Sequence, residues 1–161
     1  MSSNKPEGCV FCLATGASAK AAGAPDPSKP DPLVVHRGAL AYVILNLYPY
    51  NNGHLMVVPY RHVATLAALS REEVMEIGLL TQRSEIALGE AYQPHGINVG
   101  INLGKPAGAG VLDHVHVHVV PRWNGDTNFM TVVAEMRVLP EDPGSSAARL
   151  RPIFERLGRA G

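Results

Sequence analysis

Residues 114 to 120 read His-Val-His-Val-His-Val-Val, imidazole alternating with valine at a period of two. β-branched residues at that period predict a strand, with His114, His116 and His118 on one face, roughly 6.7 Å apart, and the valines turned into a core. One buried histidine is easily hydrogen-bonded away; three on one face call for a further reason. Such a row could hold a metal, since His-x-His on a strand suits zinc. It could supply a neutral imidazole nucleophile whose neighbours fix its tautomer and contact an anion. It could also be packed into the core with no chemistry at all.

The flanking sequence narrows the choice. Gly104-Lys105-Pro106-Ala107-Gly108-Ala109-Gly110 lies just upstream, and glycine-rich loops let backbone N–H groups converge on phosphate oxygens. Alone it reads as a turn; beside three aligned histidines it favours phosphate chemistry over a catalytic metal. Cys9 and Cys12, the two cysteines of the chain, form a CxxC pair. That is too few for a secreted disulfide framework, which leaves a metal clip or a redox pair.

Several elements must position these residues. Leu33 to His36 and Ala39 to Leu45 read as strands, with Arg37-Gly38 as a turn. Tyr48-Pro49-Tyr50-Asn51-Asn52-Gly53 reads as a turn, and His54 to Val58 as a strand that Pro59 stops. Ser70 and Glu73 fit a capping box, after which Val74, Ile77, Leu80, Ala87, Leu88 and Ala91 recur at helical spacing to about Tyr92. Ile97 to Asn102 alternates as a strand, Pro121 to Asp126 turns away, and Phe129 to Val133 is a further strand candidate. Ala147 to Leu157 carries a helical apolar stripe, but Pro152 conflicts with a helix interior, so this helix is expected to start near Arg151. Short turns between neighbouring strands favour an antiparallel sheet. The expected fold class is therefore α+β, with one long helix and a short C-terminal helix.

At 161 residues the chain suits a single domain, 1–161. Residues 1–8 are polar and expected to fray, and 14–32, made mostly of Ala, Gly, Ser, Lys, Asp and Pro, reads as a loop insertion. The net charge is zero, so partnership with nucleic acid or membrane is not expected and any phosphate recognition must be local. No apolar run approaches the roughly 18 residues of a membrane-spanning helix, and no signal-peptide pattern is seen, so the expected location is cytoplasmic.

Taken together, these residues resemble the histidine-triad (HIT) superfamily of nucleotidyl hydrolases and transferases. The resemblance rests on His114-x-His116-x-His118 and the two valines after it, Asn46, Gly53-His54-Leu55-Met56-Val57-Val58-Pro59, Asn102 and Pro121-Arg122. It spans about Cys9 to Phe129. The stretches Leu45 to Tyr50 and Pro121 to Phe129 look most like the bacterial diadenosine tetraphosphate phosphorylase-like branch.

The resemblance implies a homodimer acting on an adenine nucleotide or dinucleoside polyphosphate. His116 would attack the α-phosphorus to form a covalent nucleotidyl-imidazole, His118 would contact phosphate oxygens, and His114 would orient the site. Asn46 would bind ribose; Asn102 with Gly108, Ala109 and Gly110 would hold phosphates; Trp123 would border the far end of the substrate. It further implies a structural zinc on Cys9, Cys12, His62 and His114, with no organic cofactor; the redox alternative for the cysteines lacks a thioredoxin-like context. His54 packs behind the triad or simply in the core, and His36 and His95 are expected at the surface or in turns. A departure stands at Ala109-Gly110-Val111, where many relatives carry Gly-Gln-Ser or Gly-Gln-Thr, so a side-chain donor is missing. That fits phosphorolysis better than hydrolysis. A nucleoside phosphoramidase and a zinc-stabilised nucleotide-binding module with little catalysis are the alternatives.

Overall fold

The computed structural model describes residues 8–15, 31–111, 113–126 and 141–159. Five strands form one antiparallel sheet: β1 (Val34–Arg37), β2 (Ala41–Leu45), β3 (Leu55–Pro59), β4 (Gly96–Gly100) and β5 (Val117–Arg122), in spatial order β1-β2-β3-β5-β4. Among the described residues three α-helices accompany it: α1 (Val10–Ala14), α2 (Arg71–Tyr92) and α3 (Pro143–Arg159). The mixed α and β composition and the antiparallel sheet are those expected. No helix among the described residues is long and apolar enough to cross a membrane. The expected strand at Phe129 to Val133, residues 1–7 and most of the 14–32 stretch lie outside the described residues.

The period of two along the strands separates two apolar layers. Ala41, Val43, Leu45, Leu55, Val57, Val117 and Val119 face α2 and α3, where Ile77, Leu80, Ala87, Leu88, Leu150 and Phe154 meet them. The alternate residues Tyr42, Ile44, Met56 and Val58 pack on the opposite face with Phe11 and Ala14 of α1. Both faces of β2 and β3 are therefore covered. His118 lies opposite Met56 in the ladder, which puts it on the α1 face.

The start of α2 follows the sequence signal: Glu73 N–H donates to Ser70 Oγ (3.2 Å) and Ser70 N–H donates to the Glu73 carboxylate (2.7 Å). Val74 does not join the core as its spacing suggested; it is 49% exposed. The turn into β3 needs its glycine, because Gly53 has φ +73° and a Cβ there would lie 2.8 Å from the ring of Tyr92.

Proline misled the sequence reading in three places. Pro59 ends β3 from within, and Pro121 and Arg122 belong to β5 rather than to a turn. Each proline turns its nitrogen to a side that needs no ladder bond. The Pro121 carbonyl accepts from the Asn51 amide (2.9 Å), on the side where β3 has already ended. The Pro59 carbonyl faces His114 Nε2 (2.8 Å) rather than β2. Pro152 does not mark the start of α3, which begins at Pro143 and is 17 residues long, not short. Asp142 caps it by accepting from Ser145 N–H (3.0 Å), with Pro143 in the first-turn position where a missing N–H costs nothing. The interior Pro152 forfeits about 3 kcal/mol, but it sits on the exposed side, and Ala147, Leu150 and Phe154 seal the opposite side against the core. A second correction concerns Ala14, which closes α1 and is buried rather than opening a loop.

Phe154 is fully buried and joins α3 to the sheet and to α2. Phe154→Ala is expected to cost about 3–5 kcal/mol, read as a lowered midpoint in urea denaturation.

Candidate active site and metal centre

The histidine segment enters β5 only at Val117; His114, Val115 and His116 form an extended lead-in, where Val115 N–H donates to the Val63 carbonyl (2.7 Å). This differs from a strand running from His114 onward. The lead-in has left β3, whose last partner in β5 is Val117, and that frees its backbone for other contacts.

Hydrogen bonds assign a tautomer to each ring. His116 donates from Nδ1 to the carbonyl of His114 (2.9 Å), which leaves the Nε2 lone pair free. Burial lowers its pKa below the ordinary imidazole value, opposed by that same carbonyl, so the ring is neutral at pH 7. His54 is fully buried, and its Nδ1 receives the backbone N–H of Tyr50 (3.2 Å). The proton of His54 is then on Nε2, 3.0 Å from His118 Nδ1. His118 must accept there, and its own proton is on Nε2. Burial, reinforced by neighbouring imidazoles, pushes both His54 and His118 down to about 4. His116 and His118 meet edge to face at 4.7 Å, and Phe11 of α1 lies 4.8 Å from His116.

His114 turns its ring toward the two cysteines at α1. Its Nε2 donates to the Pro59 carbonyl (2.8 Å), so Nδ1 carries a lone pair, and this atom lies 3.3 Å from Cys9 Sγ and 3.7 Å from Cys12 Sγ. Cys12 Sγ is 3.4 Å from His62 Nδ1. The four donor atoms all lie within 4.8 Å of one another. A tetrahedral ion with two sulfur and two nitrogen ligands has edges of about 3.3–3.8 Å, so the group could hold a metal ion. Burial raises the Cys12 thiol to about 11, with Cys9 adding to the shift. A thiolate there needs a cation beside it.

Beyond His118, a cavity of about 450 Å³ opens on the same face over β4 and β5. Asn102 and His118 line it with Tyr50, Asn51, Asn98, Gly100, Arg122 and Asp126; Asn46 and Trp123 are outside that lining. Asn46 donates to His54 Nδ1 (3.3 Å) and accepts from Tyr48 N–H (2.9 Å). Asn102 reaches the Gly108 carbonyl (3.4 Å). Trp123 is half-buried, its N–H on Asp126 (3.1 Å). Gly108, Ala109 and Gly110 are also outside that lining, and Val111 packs against the α1-side core. His95 is exposed as expected and accepts from Asn124 N–H (2.9 Å). His36 is instead half-buried, stacked on Phe154 at 5.4 Å. Sequence reasoning missed Phe11 and Tyr50 beside the histidines and the ion pair of Arg122 with Asp126 (2.6 Å). The acid four residues after the arginine was the one available signal; nothing local marks the two rings.

Residues 29–125 match the model of the HIT domain family. An AP-4-A phosphorylase of Mycobacterium tuberculosis is 50% identical over 117 residues, 73% of this chain and 60% of that protein, so the chain spans less than two thirds of this relative. A bis(5'-adenosyl)-triphosphatase of Dictyostelium discoideum is 33% identical over 122 residues, 72% of this chain and 81% of that protein. Among solved structures, a Zn-bound histidine triad family protein from Mycobacterium smegmatis superposes with a TM-score of 0.69 at 29% identity, covering 95% of this chain and 97% of that one.

Two neutral buried imidazoles make stability depend on pH. Between about 4 and 6.5 the unfolded chain binds more protons at His54 and His118 than the folded chain does. Stability is then complete above about 6.5 and is lost as pH falls toward 4, by on the order of a few kcal/mol. Urea midpoints measured at pH 7, 6, 5 and 4 should fall steadily, and His54→Asn should flatten the trend.

Proposed function

Because the chain belongs to the HIT-domain family, we propose that it cleaves AMP-containing phosphoanhydrides, dinucleoside polyphosphates such as diadenosine tetraphosphate among them, through a covalent nucleotidyl-His116 intermediate. The observation that carries this reading is the hydrogen bond from His116 Nδ1 to the His114 carbonyl, because it leaves Nε2 unprotonated as the nucleophilic atom. That nitrogen attacks the α-phosphorus, a P–N bond forms, and the P–O bond to the departing polyphosphate breaks with its electron pair on oxygen. The imidazole becomes cationic, and the His114 carbonyl is already placed to stabilise its Nδ1–H. His118 donates from Nε2 to a non-bridging phosphate oxygen, its tautomer fixed by His54. Asn46 at the end of β2 holds the ribose, Asn102 with the Gly108–Gly110 backbone holds phosphates, and Trp123 borders the substrate.

Inorganic phosphate then attacks the nucleotidyl-histidine and restores neutral His116. The missing side-chain donor at Ala109-Gly110 and the name of the mycobacterial relative both favour phosphate over water. The metal at Cys9, Cys12, His62 and His114 is zinc in this reading. Four protein ligands leave no open position, so when bound it supplies cross-linking rather than Lewis-acid chemistry. A homodimer joined through β4 is also inferred: β4 is an edge strand, Val99 on it is 54% exposed, and Met75, Leu79 and Ile86 of α2 are exposed as well.

His116→Ala is expected to abolish turnover of diadenosine tetraphosphate while nucleotide binding survives; undiminished activity in that variant rules the reading out. In the wild type, phosphate-dependent formation of ADP and ATP marks phosphorolysis, and AMP with ATP in phosphate-free buffer marks hydrolysis. Metal analysis should find one zinc per chain, lost in Cys12→Ser, with the melting temperature down by about 10 °C.

A further inference from the structure

β4 carries a glycine that neither its backbone nor its packing explains. Gly100 pairs with His118 in the ladder, so the two side-chain positions share a face. Its φ is outside the left-handed region, and a Cβ built on it meets nothing within 4 Å. Glycine in a strand weakens it, and one use of such a glycine is to let a ligand or another backbone approach closely. Above it is the cavity of about 450 Å³, within the range of small-molecule sites.

The walls indicate what kind of ligand enters. Arg122 and Asp126, the charged side chains of the lining, bind each other through two hydrogen bonds of 2.6 and 2.7 Å, so their charges cancel. Asn51, Asn98 and Asn102 contribute neutral amides. Among the described residues, the lining offers a polyphosphate no excess of positive charge. A neutral planar heterocycle finds Tyr50, a residue 71% exposed whose ring lies on His54 at 4.9 Å and 25°, while its backbone N–H is tied to the same histidine. One face of the ring is thereby fixed and the rest is open, a preorganised stacking platform.

We propose that this cavity is the subsite for the second nucleoside of a dinucleoside polyphosphate, with Tyr50 as the stacking face, Gly100 as the floor and Asn98 as a polar contact. The proposal takes its ligand class from the reading of His116 given above. The first nucleoside lies at Asn46, beyond β2; His118 on β5 comes next across the sheet, and the cavity continues over β4. The phosphate chain therefore crosses His118 between its two bases.

The test is made in the His116→Ala protein, by calorimetry with diadenosine tetraphosphate and with adenosine 5′-tetraphosphate, which has the same number of phosphates and one base. The dinucleotide should bind about tenfold tighter, the size of one base–aromatic stack. Gly100→Val, which fills the floor, and Tyr50→Ala, which removes the platform, should each bring the ratio to about one. Tyr50 is exposed and outside the core, so its variant keeps the test decisive should valine at 100 disturb the sheet. A parent ratio near one, or a ratio that survives either substitution, overturns the proposal. Because the readout is binding, its failure is separable from that of the catalytic reading: a wild type that prefers the second base yet turns over neither compound sinks the latter alone.

Discussion

His114 is the constraint on which the site depends, because each of its polar groups holds a different part of the molecule. Nδ1 faces the two thiols, Nε2 donates to the Pro59 carbonyl at the end of β3, and its own carbonyl accepts from His116. Rotation of this one residue would loosen α1, free the end of β3 and release the tautomer of His116 together. The ring beside the thiols and the ring of His116 are thus coupled through a single backbone unit. In the proposed reading, a metal held at Nδ1 would act on His116 through that unit without contact with substrate.

The sheet divides the labour. α2 and α3 cover one face with aliphatic side chains and leave the histidines on the other. There α1 brings Cys9, Cys12 and Phe11 together, so the helix that supplies two thiols also lays an aromatic ring on His116. A five-residue helix has little stability of its own. Its position rests on Phe11 and Ala14 in the core, on the Tyr42 hydroxyl donating to the Phe11 carbonyl (2.8 Å), and on the cysteine cluster. Burial and the neighbouring imidazoles keep His54 and His118 neutral, and neutrality lets a donor–acceptor order run from the Tyr50 backbone through two rings toward the open side.

Much of this was legible in the sequence because it is periodic or local. The period of two in β2, β3 and β5, the capping box at Ser70 and Glu73, and the turn chemistry ahead of His54 all depend on near neighbours. The prolines were misread because a missing N–H matters only where a partner strand or turn would have used it, and that depends on where β3 ends and which side of α3 meets water. Asp142-Pro143 is a local helix-start signal, and the interior Pro152 conflicts with it in the sequence. The cysteine and histidine cluster was legible through resemblance, since 105 residues separate Cys9 from His114.

By itself the sequence determined that His114, His116 and His118 recur at the strand period, and that the sheet is antiparallel. These follow from side-chain alternation, turn residues and loop length, which the chain carries wherever it folds. Tertiary structure alone decided which nitrogen of each imidazole holds the proton, because that depends on a carbonyl or N–H brought up from another element. It also decided that Tyr50 and Gly100 border one cavity, since strand order, and not sequence distance, sets β4 beside β5 and the Tyr50 turn beside both.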